Sequence, residues 1–265
     1  MGAPFNPISS QAVNYYDACH ITMTYTAIVQ LLILGDELEQ VDRVAILESL
    51  AVLQQENGSF ASTIFSLETD IRFLYCACCI CYILDGWTFI NTSNAIRYIS
   101  SCQSYDGAFG QKEHQESHGG STYCAVASLW LMGKLDALCE REKLIEWLLF
   151  RQNKGFHGRI NKDDDTCYAF WIGSSLEMLD AYKYIAKEPL LQFLETTHTP
   201  YGGFGKCENS FPDMMHSYLG LSGLAIAGEP TLRSLFVPLG ISNQVHDAGV
   251  AKGLMKNISQ GTSFH

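Results

Sequence analysis

A glycine-containing turn recurs along this chain at a nearly constant interval. The four turns read "QQENGSF", "QSYDGAFG", "RQNKGFHG" and "TPYGGFG", and their glycines are Gly58, Gly107, Gly155 and Gly203. Successive glycines are about 48 residues apart, and periods of this length are typical of stacked helix pairs. The repeat therefore restricts the fold to an array of helical pairs before any other property of the chain is considered.

Each turn separates two helical segments of different character. The segments before the turns are amphipathic: "VDRVAILESLAVLQ", "NTSNAIRYISSCQ", "EREKLIEWLLFRQ" and "KEPLLQFLETT". The segments after the turns are more uniformly apolar: "DIRFLYCACCICYIL", "HGGSTYCAVASLWLMG", "DTCYAFWIGSSLEML" and "DMMHSYLGLSGLAIAG", with "CHITMTYTAIVQLLILG" at 19–35 as the second helix of an earlier pair. Amphipathic helices belong at a surface and uniformly apolar helices inside. We therefore predict an all-α fold, an α/α barrel (toroid) with two concentric layers.

Charge and cysteine usage limit the partners and the compartment. The net charge of −11 disfavours nucleic acids and anionic membranes as partners. Four of the ten cysteines lie in "YCACCIC" inside an apolar run, which is not how a disulfide scaffold is arranged. The sequence shows no signal peptide and no apolar stretch long enough to span a bilayer. We expect a reduced, soluble, cytoplasmic protein that binds no nucleic acid and has no transmembrane segment.

Residues capable of chemistry lie where the inner helices begin, so we expect them to meet at one rim of the barrel. They are Arg72, His118, Arg159, Lys162, Asp165, Cys167 and His216. Below them the inner helices carry aromatic residues: Tyr25, Phe73, Tyr75, Tyr82, Tyr123, Tyr168, Phe170, Trp171 and Tyr218. An aromatic cavity under a polar rim suits an amphiphile with an apolar tail and an anionic head. The same aromatic residues are also typical of core packing.

Three of the rim residues have the side chains of a zinc site. Asp165, Cys167 and His216 offer oxygen, sulfur and nitrogen, and three protein ligands with an open fourth position are typical of catalytic zinc. However, a cysteine on an apolar helix is also typical of a core, and a histidine at a helix start is also typical of a cap. The residues alone leave both interpretations open.

Basic residues at the same rim predict an anion site. Arg159, Lys162, His118 and Lys206 lie at comparable positions of the repeats and would form a cationic cradle, although each taken singly also fits scattered surface charge. The run "KDDD" at 162–165 allows a different interpretation, an acidic cluster of a terpene cyclase that protonates an isoprenoid or binds magnesium. For Asp163 and Asp164 we favour a simpler role as negative charge near a helix N-terminus.

Long strings in this sequence resemble the β subunits of protein prenyltransferases, and most closely those of the type I geranylgeranyl enzymes. The strings run from "GAPFNP" through "HITMTYTAIVQLLILGDEL", "DIRFLYCACCICYIL", "ESHGGSTYCAVASLWLMGKL" and "GRINKDDDTCYAFW" to "DMMHSYLGLSGL", over about residues 2–241. The farnesyl β subunits share "DxRxxYCA", "HGG" and "CYxFW" but lack the "HITMTYT…LILGD" block. The type I geranylgeranyl enzymes are therefore the better likeness.

The resemblance implies roles for individual residues. It implies a barrel lining a hydrophobic prenyl pocket, with zinc ligands at Asp165, Cys167 and His216. The diphosphate-binding residues it implies are His118, Arg159, Lys162 and Tyr168, and the residues of the prenyl and peptide cavity are Arg72, Tyr123 and Trp171. Lys206 stands where a carboxylate assists magnesium in the farnesyl enzyme, so Lys206 is expected to take part in catalysis without a magnesium requirement.

The activity that the resemblance implies is that of an enzyme, a protein geranylgeranyltransferase type I. Such a β subunit pairs with an α subunit and transfers geranylgeranyl from geranylgeranyl diphosphate to the cysteine of C-terminal Cys-a-a-X proteins such as small GTPases, with X mostly leucine. The alternatives are a non-catalytic fragment that binds the α subunit or lipid, a farnesyltransferase-like β subunit, and a terpene cyclase that uses Asp163–Asp165.

The resemblance also predicts the domain organisation. It implies that residues 1–241 form the barrel, and that the barrel's first helices precede the start of this sequence, so we expect the barrel to be N-terminally incomplete. In the family, the small residue that sets prenyl length lies in those first helices. Residues 242–265 form a C-terminal tail that we leave unassigned.

Overall fold

The computed structural model describes residues 18–255, and these form two concentric layers of helices. The string "GAPFNP" at 2–7 and residues 256–265 of the predicted tail lie outside the described residues. The inner layer consists of α1 (Ile21–Ile33), α3 (Ile71–Leu84), α5 (Gly119–Leu131), α7 (Tyr168–Met178) and α9 (Met214–Ile226). The outer layer consists of α2 (Arg43–Leu53), α4 (Thr92–Ser101), α6 (Arg141–Leu149) and α8 (Lys187–Thr197).

Burial separates the two layers as the hydrophobic pattern predicts. Every residue of α3 except Arg72 is buried, whereas α4 buries only Ala95, Tyr98 and Ile99. The inner helices pack side by side in chain order, α1 against α3, α3 against α5, α5 against α7 and α7 against α9. The contact between α7 and α9 is close, because a Cβ atom on Gly223 would lie 2.6 Å from the Cβ of Ala169. The all-α toroid predicted from the repeat is confirmed.

The repeated turns hold the starts of the inner helices at matching positions. In three repeats the carbonyl of the turn phenylalanine accepts a hydrogen bond from the residue that opens the next inner segment. The pairs are His118 N to Phe109 O at 3.0 Å, Asp165 N to Phe156 O at 2.9 Å and Asp213 N to Phe204 O at 3.3 Å. The turn itself needs glycine at Gly107, where φ is +91°. Polar residues that are about 48 residues apart therefore arrive at one rim.

The chain after α9 closes the opposite end of the lumen. A short antiparallel hairpin, β1 (Leu235–Phe236) paired with β2 (Ile241–Ser242), is followed by α10 (Asn243–Ala251). β1 contacts α9 and α10 contacts α1, so this segment lies between the last and the first inner helix. The connecting residues 237–240 are all buried, and we call them the floor. The domain boundary at 241 stays a prediction.

Tyrosines of the inner helices hydrogen-bond to the floor. Tyr123 Oη donates to Val237 O at 2.8 Å, and Tyr75 Oη donates to Pro238 O at 3.0 Å. Tyr218 Oη donates to Gly240 O. Buried carbonyls outside a helix or sheet need other donors, and the tyrosines supply them. None of the helices between residues 18 and 255 combines the length and the apolar character that crossing a bilayer requires.

Candidate functional site

The rim is assembled from loops that hydrogen-bond to one another. Gly119 N donates to Gly158 O, and Thr166 N donates to Lys206 O, both at 2.9 Å. The hydroxyl of Thr166, which is fully buried, donates to Gly205 O at 2.7 Å. These bonds fix the segment before α7 between the loop around 158 and the loop around 206. Side chains that are far apart in sequence consequently face a common space.

Asp165, Cys167 and His216 meet at this rim. One ligand atom from each of them lies within 4.8 Å of the others, and Cys167 and His216 are buried. The carboxylate of Asp165 is oriented locally, because its Oδ1 accepts from the backbone N of Cys167 at 2.9 Å. His216 is the third residue of α9, which packs against α7. The structure therefore brings together the oxygen, sulfur and nitrogen donors that the sequence singled out.

The ring of His216 has the hydrogen bonding of a metal ligand. Its Nδ1 lies 2.6 Å from Asp213 Oδ2. Among the described residues, none forms a hydrogen bond with its buried Nε2. Asp165 Oδ1 is 3.2 Å away, but the geometry between them is not that of a hydrogen bond. Metal-binding histidines usually donate one ring N–H to a carboxylate and present the other nitrogen to the ion. The orphaned Nε2 therefore fits a cation between His216, Asp165 and Cys167.

Asp213 is a site residue that the sequence reasoning missed. Its carboxylate caps α9 by accepting from His216 N at 2.8 Å, and it also contacts the His216 ring. The hydrogen bonds from His216, the backbone one first, lower the pKa of Asp213. An aspartate three residues before the histidine, at the position of a helix N-cap, is the signal that identifies it. His216 itself is not the cap.

The surroundings of Cys167 disfavour its thiolate when no cation is bound. Burial, followed by the carboxylate of Asp165, raises the pKa of the Cys167 thiol. Lys206 Nζ lies 3.8 Å from Asp165 Oδ2, but its side chain is 63% exposed, so it compensates only part of the negative charge. A divalent cation bound by all three side chains would favour the thiolate of Cys167.

A cavity of about 440 Å³ adjoins this cluster and collects the predicted anion-binding residues. It is lined by His118, Gly158, Arg159, Lys162, Asp163, Asp164, Asp165, Tyr168, Lys206 and Cys207. Arg159 is half-exposed, and its closest carboxylate contact joins its Nη1 to Glu116 Oε2 at 3.8 Å, so the guanidinium is free to take another anion. All four predicted diphosphate residues and Lys206 thus share one cavity.

The acidic residues beside Asp165 contribute differently from what the sequence predicted. Asp164 Oδ2 accepts from the backbone N atoms of Lys154, at 3.2 Å, and Gly155, at 2.9 Å. Asp164 therefore stabilises the preceding turn, and the expectation that it supplies charge at a helix N-terminus is wrong. The error arose because α7 begins only at Tyr168, too far along the chain for Asp164 to cap it.

His118 also lines this cavity, and its hydrogen bonds are those of a neutral ring. Its Nδ1 accepts from Gly120 N at 3.1 Å and from Ser121 N at 3.3 Å, so the side chain caps α5. Its Nε2 lies 2.9 Å from Tyr168 Oη. Burial and then the charge of Arg159 lower the pKa of His118 to about 4. The cationic cradle therefore consists of Arg159, Lys162 and Lys206, with a neutral His118.

A larger cavity of about 630 Å³ lies on the other side of His118 and Arg159, which line both spaces. The remaining residues of its lining are Thr22, Arg72, Phe73, Tyr75, Cys76, Gln111, Gln115, Glu116, Gly120, Ser121, Cys124 and Trp171. Arg72 is fixed by Asp70, with its Nε 3.0 Å from Oδ1 and its Nη2 2.6 Å from Oδ2. Tyr123 lies behind Trp171, with a ring-centroid distance of 5.0 Å.

Comparison with known proteins assigns the fold to a family. The sequence model of the "Prenyltransferase alpha-alpha toroid domain" matches residues 3–252. The chain belongs to this family. Two members resemble it over most of its length, the "Geranylgeranyl transferase type-1 subunit beta" of Arabidopsis thaliana and that of Dictyostelium discoideum. The former is 40% identical over 89% of this chain, and the latter is 45% identical over 86%.

The prenyltransferase toroid is also recognised in three dimensions. The solved structure "Candida albicans protein geranylgeranyltransferase-I complexed with GGPP" superposes with a TM-score of 0.84 at 28% identity. The alignment covers 91% of this chain and 76% of the Candida chain. The chain spans 66% of the length of the Arabidopsis relative and 66% of the Dictyostelium relative.

Proposed function

We propose that this chain is the catalytic β subunit of a protein geranylgeranyltransferase type I. One observation carries the proposal: a cluster of oxygen, sulfur and nitrogen ligands borders a cavity with three basic residues, and that cavity adjoins a larger, partly apolar one. A metal ligand set, an anion site and an apolar cavity within one rim are what a reaction between a thiol and a prenyl diphosphate needs. The two type-1 β relatives and the Candida enzyme support the same assignment.

Asp165, Cys167 and His216 would hold a zinc ion, and Asp213 would orient the ring of His216. Zinc supplies the positive charge that keeps the thiol of a substrate cysteine deprotonated near pH 7. The protein's contribution is to fix three ligands at one rim and leave a fourth position open. The orphaned Nε2 of His216 supports this occupant.

The reaction would join two substrates through a new S–C bond and release diphosphate, with the thiol proton passing to solvent. The cysteine sulfur forms a bond to C1 of geranylgeranyl diphosphate, the C1–O bond breaks, and its electron pair leaves with the diphosphate. Arg159, Lys162 and Tyr168 would bind the diphosphate, whose negative charge grows as the C1–O bond breaks. Lys206, next to Asp165, would provide positive charge that makes magnesium unnecessary.

The larger cavity would hold the apolar parts of both substrates. Phe73, Tyr75 and Trp171 supply apolar surface, and Arg72 supplies a fixed positive charge at its mouth. Tyr123 would support this cavity from behind Trp171. The proposed substrates are Cys-a-a-X proteins such as small GTPases, the proposed partner is a prenyltransferase α subunit, and the proposed compartment is the cytoplasm.

Transfer measured on the αβ complex tests the proposal. This chain is coexpressed with a prenyltransferase α subunit, and the complex is assayed with labelled geranylgeranyl diphosphate and a Cys-a-a-Leu peptide. We expect thioether formation that Arg159→Ala reduces and that Arg97→Ala, a change on the outer helix α4, leaves unchanged. Binding of the diphosphate without transfer would instead support the non-catalytic alternative. Preference for farnesyl diphosphate and a Cys-a-a-Ser peptide would support a farnesyltransferase-like β subunit.

A further inference from the structure

Asp70 is a fully buried carboxylate that holds two side chains at the wall of the larger cavity. Its Oδ1 accepts from Arg72 Nε at 3.0 Å, and its Oδ2 accepts from Arg72 Nη2 at 2.6 Å. The same Oδ2 accepts from Gln111 Nε2 at 2.9 Å. Arg72 belongs to the first turn of α3 and Gln111 to the loop before α5, so one oxygen atom joins two separate parts of the rim.

Gln111 is held at its main chain as well as at its side chain. Ile71 N donates to Gln111 O at 3.2 Å. Burial acts to raise the pKa of Asp70, but the hydrogen bonds from Arg72 and Gln111 outweigh burial and leave the pKa lowered. Hydrogen bonds to an ionised carboxylate are stronger than those between neutral groups. The amide of Gln111 is therefore fixed by a charged anchor.

Both anchored side chains keep polar atoms that no residue between 18 and 255 satisfies. In Arg72 the free group is Nη1, since Nε and Nη2 bind Asp70 and Nη2 also contacts Glu68. In Gln111 it is Oε1, which faces away from Asp70 because an amide oxygen can only accept and an ionised carboxylate has no hydrogen to give. Both residues line the larger cavity.

A free N–H next to a free C=O matches the polar groups of an extended peptide. In an extended chain the N–H and the C=O of one residue point to the same side, and a neighbouring strand pairs with both of them. Arg72 Nη1 can donate to such a carbonyl, and Gln111 Oε1 can accept from such an N–H. A prenyl chain has neither group, so this wall of the cavity is suited to a peptide. Pairing with the main chain also tolerates different side chains.

We propose that Gln111 is a peptide-binding residue of the larger cavity, whose Oε1 accepts a hydrogen bond from one main-chain N–H of the substrate segment that follows the cysteine. Asp70 is the positioning residue that holds Gln111 beside Arg72. The identity of that segment as the end of a Cys-a-a-X protein rests on the proposed function.

Gln111→Met in the αβ complex tests this assignment. Methionine keeps the length of the side chain and removes the amide. We expect the KM of a Cys-a-a-Leu peptide to rise about fivefold, while kcat and the affinity for geranylgeranyl diphosphate stay unchanged. An unchanged peptide KM would overturn the proposal. An equal loss of affinity for the diphosphate would also overturn it, because it would assign Gln111 a structural role.

The matched control is Gln152→Met, which changes a glutamine of another rim turn. Gln152 Nε2 donates to Ala186 O at 2.7 Å, and its Oε1 accepts from Ala186 N at 2.8 Å. Gln152 lines neither of the two cavities at the rim. This variant loses as many side-chain hydrogen bonds as Gln111→Met or more, so an unchanged peptide KM in Gln152→Met is the result expected if the effect at Gln111 is specific. The same rise in both variants would count against the proposal.

Peptides that contain one backbone ester test the hydrogen bond itself. Each of three Cys-a-a-Leu peptides has one amide N–H after the cysteine replaced by an ester oxygen, and its affinity is measured by competition with a labelled peptide. One of them should bind the wild-type complex about fivefold more weakly than the all-amide peptide, and this difference should vanish in Gln111→Met. Differences that persist unchanged in Gln111→Met for all three peptides would show that no main-chain N–H pairs with Gln111.

Failure of this contact is distinguishable from failure of the proposed function. A wild-type complex that transfers no geranylgeranyl to the all-amide peptide would refute the proposed function and this contact with it. A complex that transfers normally, with the same peptide KM in the wild type and in Gln111→Met, would refute the contact alone.

Discussion

Tyrosines at the rim and at the floor of the lumen have the same chemistry and different tasks. Tyr168 is the first residue of α7, whereas Tyr75 and Tyr123 are the fifth residues of α3 and α5. The hydroxyl of Tyr168 faces a cavity that contains basic residues. The hydroxyls of Tyr75 and Tyr123 donate to backbone carbonyls of residues 237 and 238. Tyr168 therefore lies about one helical turn closer to the rim than Tyr75 and Tyr123 do, and its hydroxyl faces a cavity instead of the floor.

Polar groups at the two ends of the lumen differ in whether their hydrogen bonds are satisfied within the protein. At the floor, tyrosine hydroxyls and backbone carbonyls satisfy each other, as buried polar groups normally do. At the rim, within residues 18–255, the buried Nε2 of His216 has no hydrogen bond and the carboxylate contact of Arg159 is distant. Groups with incomplete partners at the rim are available for ligands. Changes at the rim should therefore affect the proposed metal site and transfer, and changes that leave a floor carbonyl without its donor should affect folding.

The largest effect is expected from Cys167→Ala at the rim. Removing the sulfur ligand should reduce bound zinc from about one ion per αβ complex to almost none, and transfer should fall with it. Elemental analysis of the purified complexes measures the zinc. Cys139→Ala, which changes an exposed thiol, is the matched control and should retain the metal. Equal zinc in the Cys167→Ala and Cys139→Ala complexes would remove Cys167 from the site.

Asp213→Asn should have the next largest effect, because it changes the residue that orients the ring of His216. We expect zinc affinity to fall about 10- to 100-fold, which is typical when the hydrogen-bond partner of a metal ligand is lost. Competition with a chelator measures the affinity. Asp42→Asn alters the equivalent cap of the outer helix α2 and should leave zinc binding unchanged. If both variants bind zinc like the wild type, Asp213 serves only as a cap.

Lys206→Asp should reduce transfer less, by about tenfold in magnesium-free buffer, because the ammonium group is 63% exposed and its charge is screened. Added magnesium should restore part of the lost rate in this variant and should barely change the wild-type rate. Steady-state transfer with and without magnesium measures both effects. A strong magnesium requirement in the wild type would contradict the role assigned to Lys206 and favour a farnesyltransferase-like site.

The smallest effect on transfer is expected from Tyr123→Phe at the floor, where zinc content should stay unchanged. Leaving the carbonyl of Val237 without its donor should lower the free energy of unfolding by about 1–3 kcal/mol. Urea unfolding measures the loss, and Tyr184→Phe, at an exposed tyrosine, provides the control. A large loss of transfer with unchanged stability would show that Tyr123 contacts the substrate and does not serve only to hold the floor.

The sequence predicted the layers and the proximity of Asp165, Cys167 and His216 better than it predicted the hydrogen bonding around them. The period and the hydrophobic pattern were enough for the toroid, and the types of Asp165, Cys167 and His216 were enough to group them. The hydrogen bonds of His118 depend on which backbone amides face its Nδ1. The need for glycine at 158 depends on the ring of Tyr168, which lies against it. The floor has no repeat signal, because its contacts are with the side chains of remote helices. Such features depend on what lies opposite a residue, which spacing along the chain does not encode.

The hydrogen bonds of the floor also constrain the order in which the interior can form during synthesis of the chain. Tyr75 and its acceptor Pro238 are 163 residues apart, and Tyr123 and Val237 are 114 apart. At a synthesis rate of about 5–20 residues per second, the hydroxyl of Tyr75 waits on the order of ten seconds or more for its acceptor. The interior therefore cannot be completed before residues 237 and 238 have been synthesised.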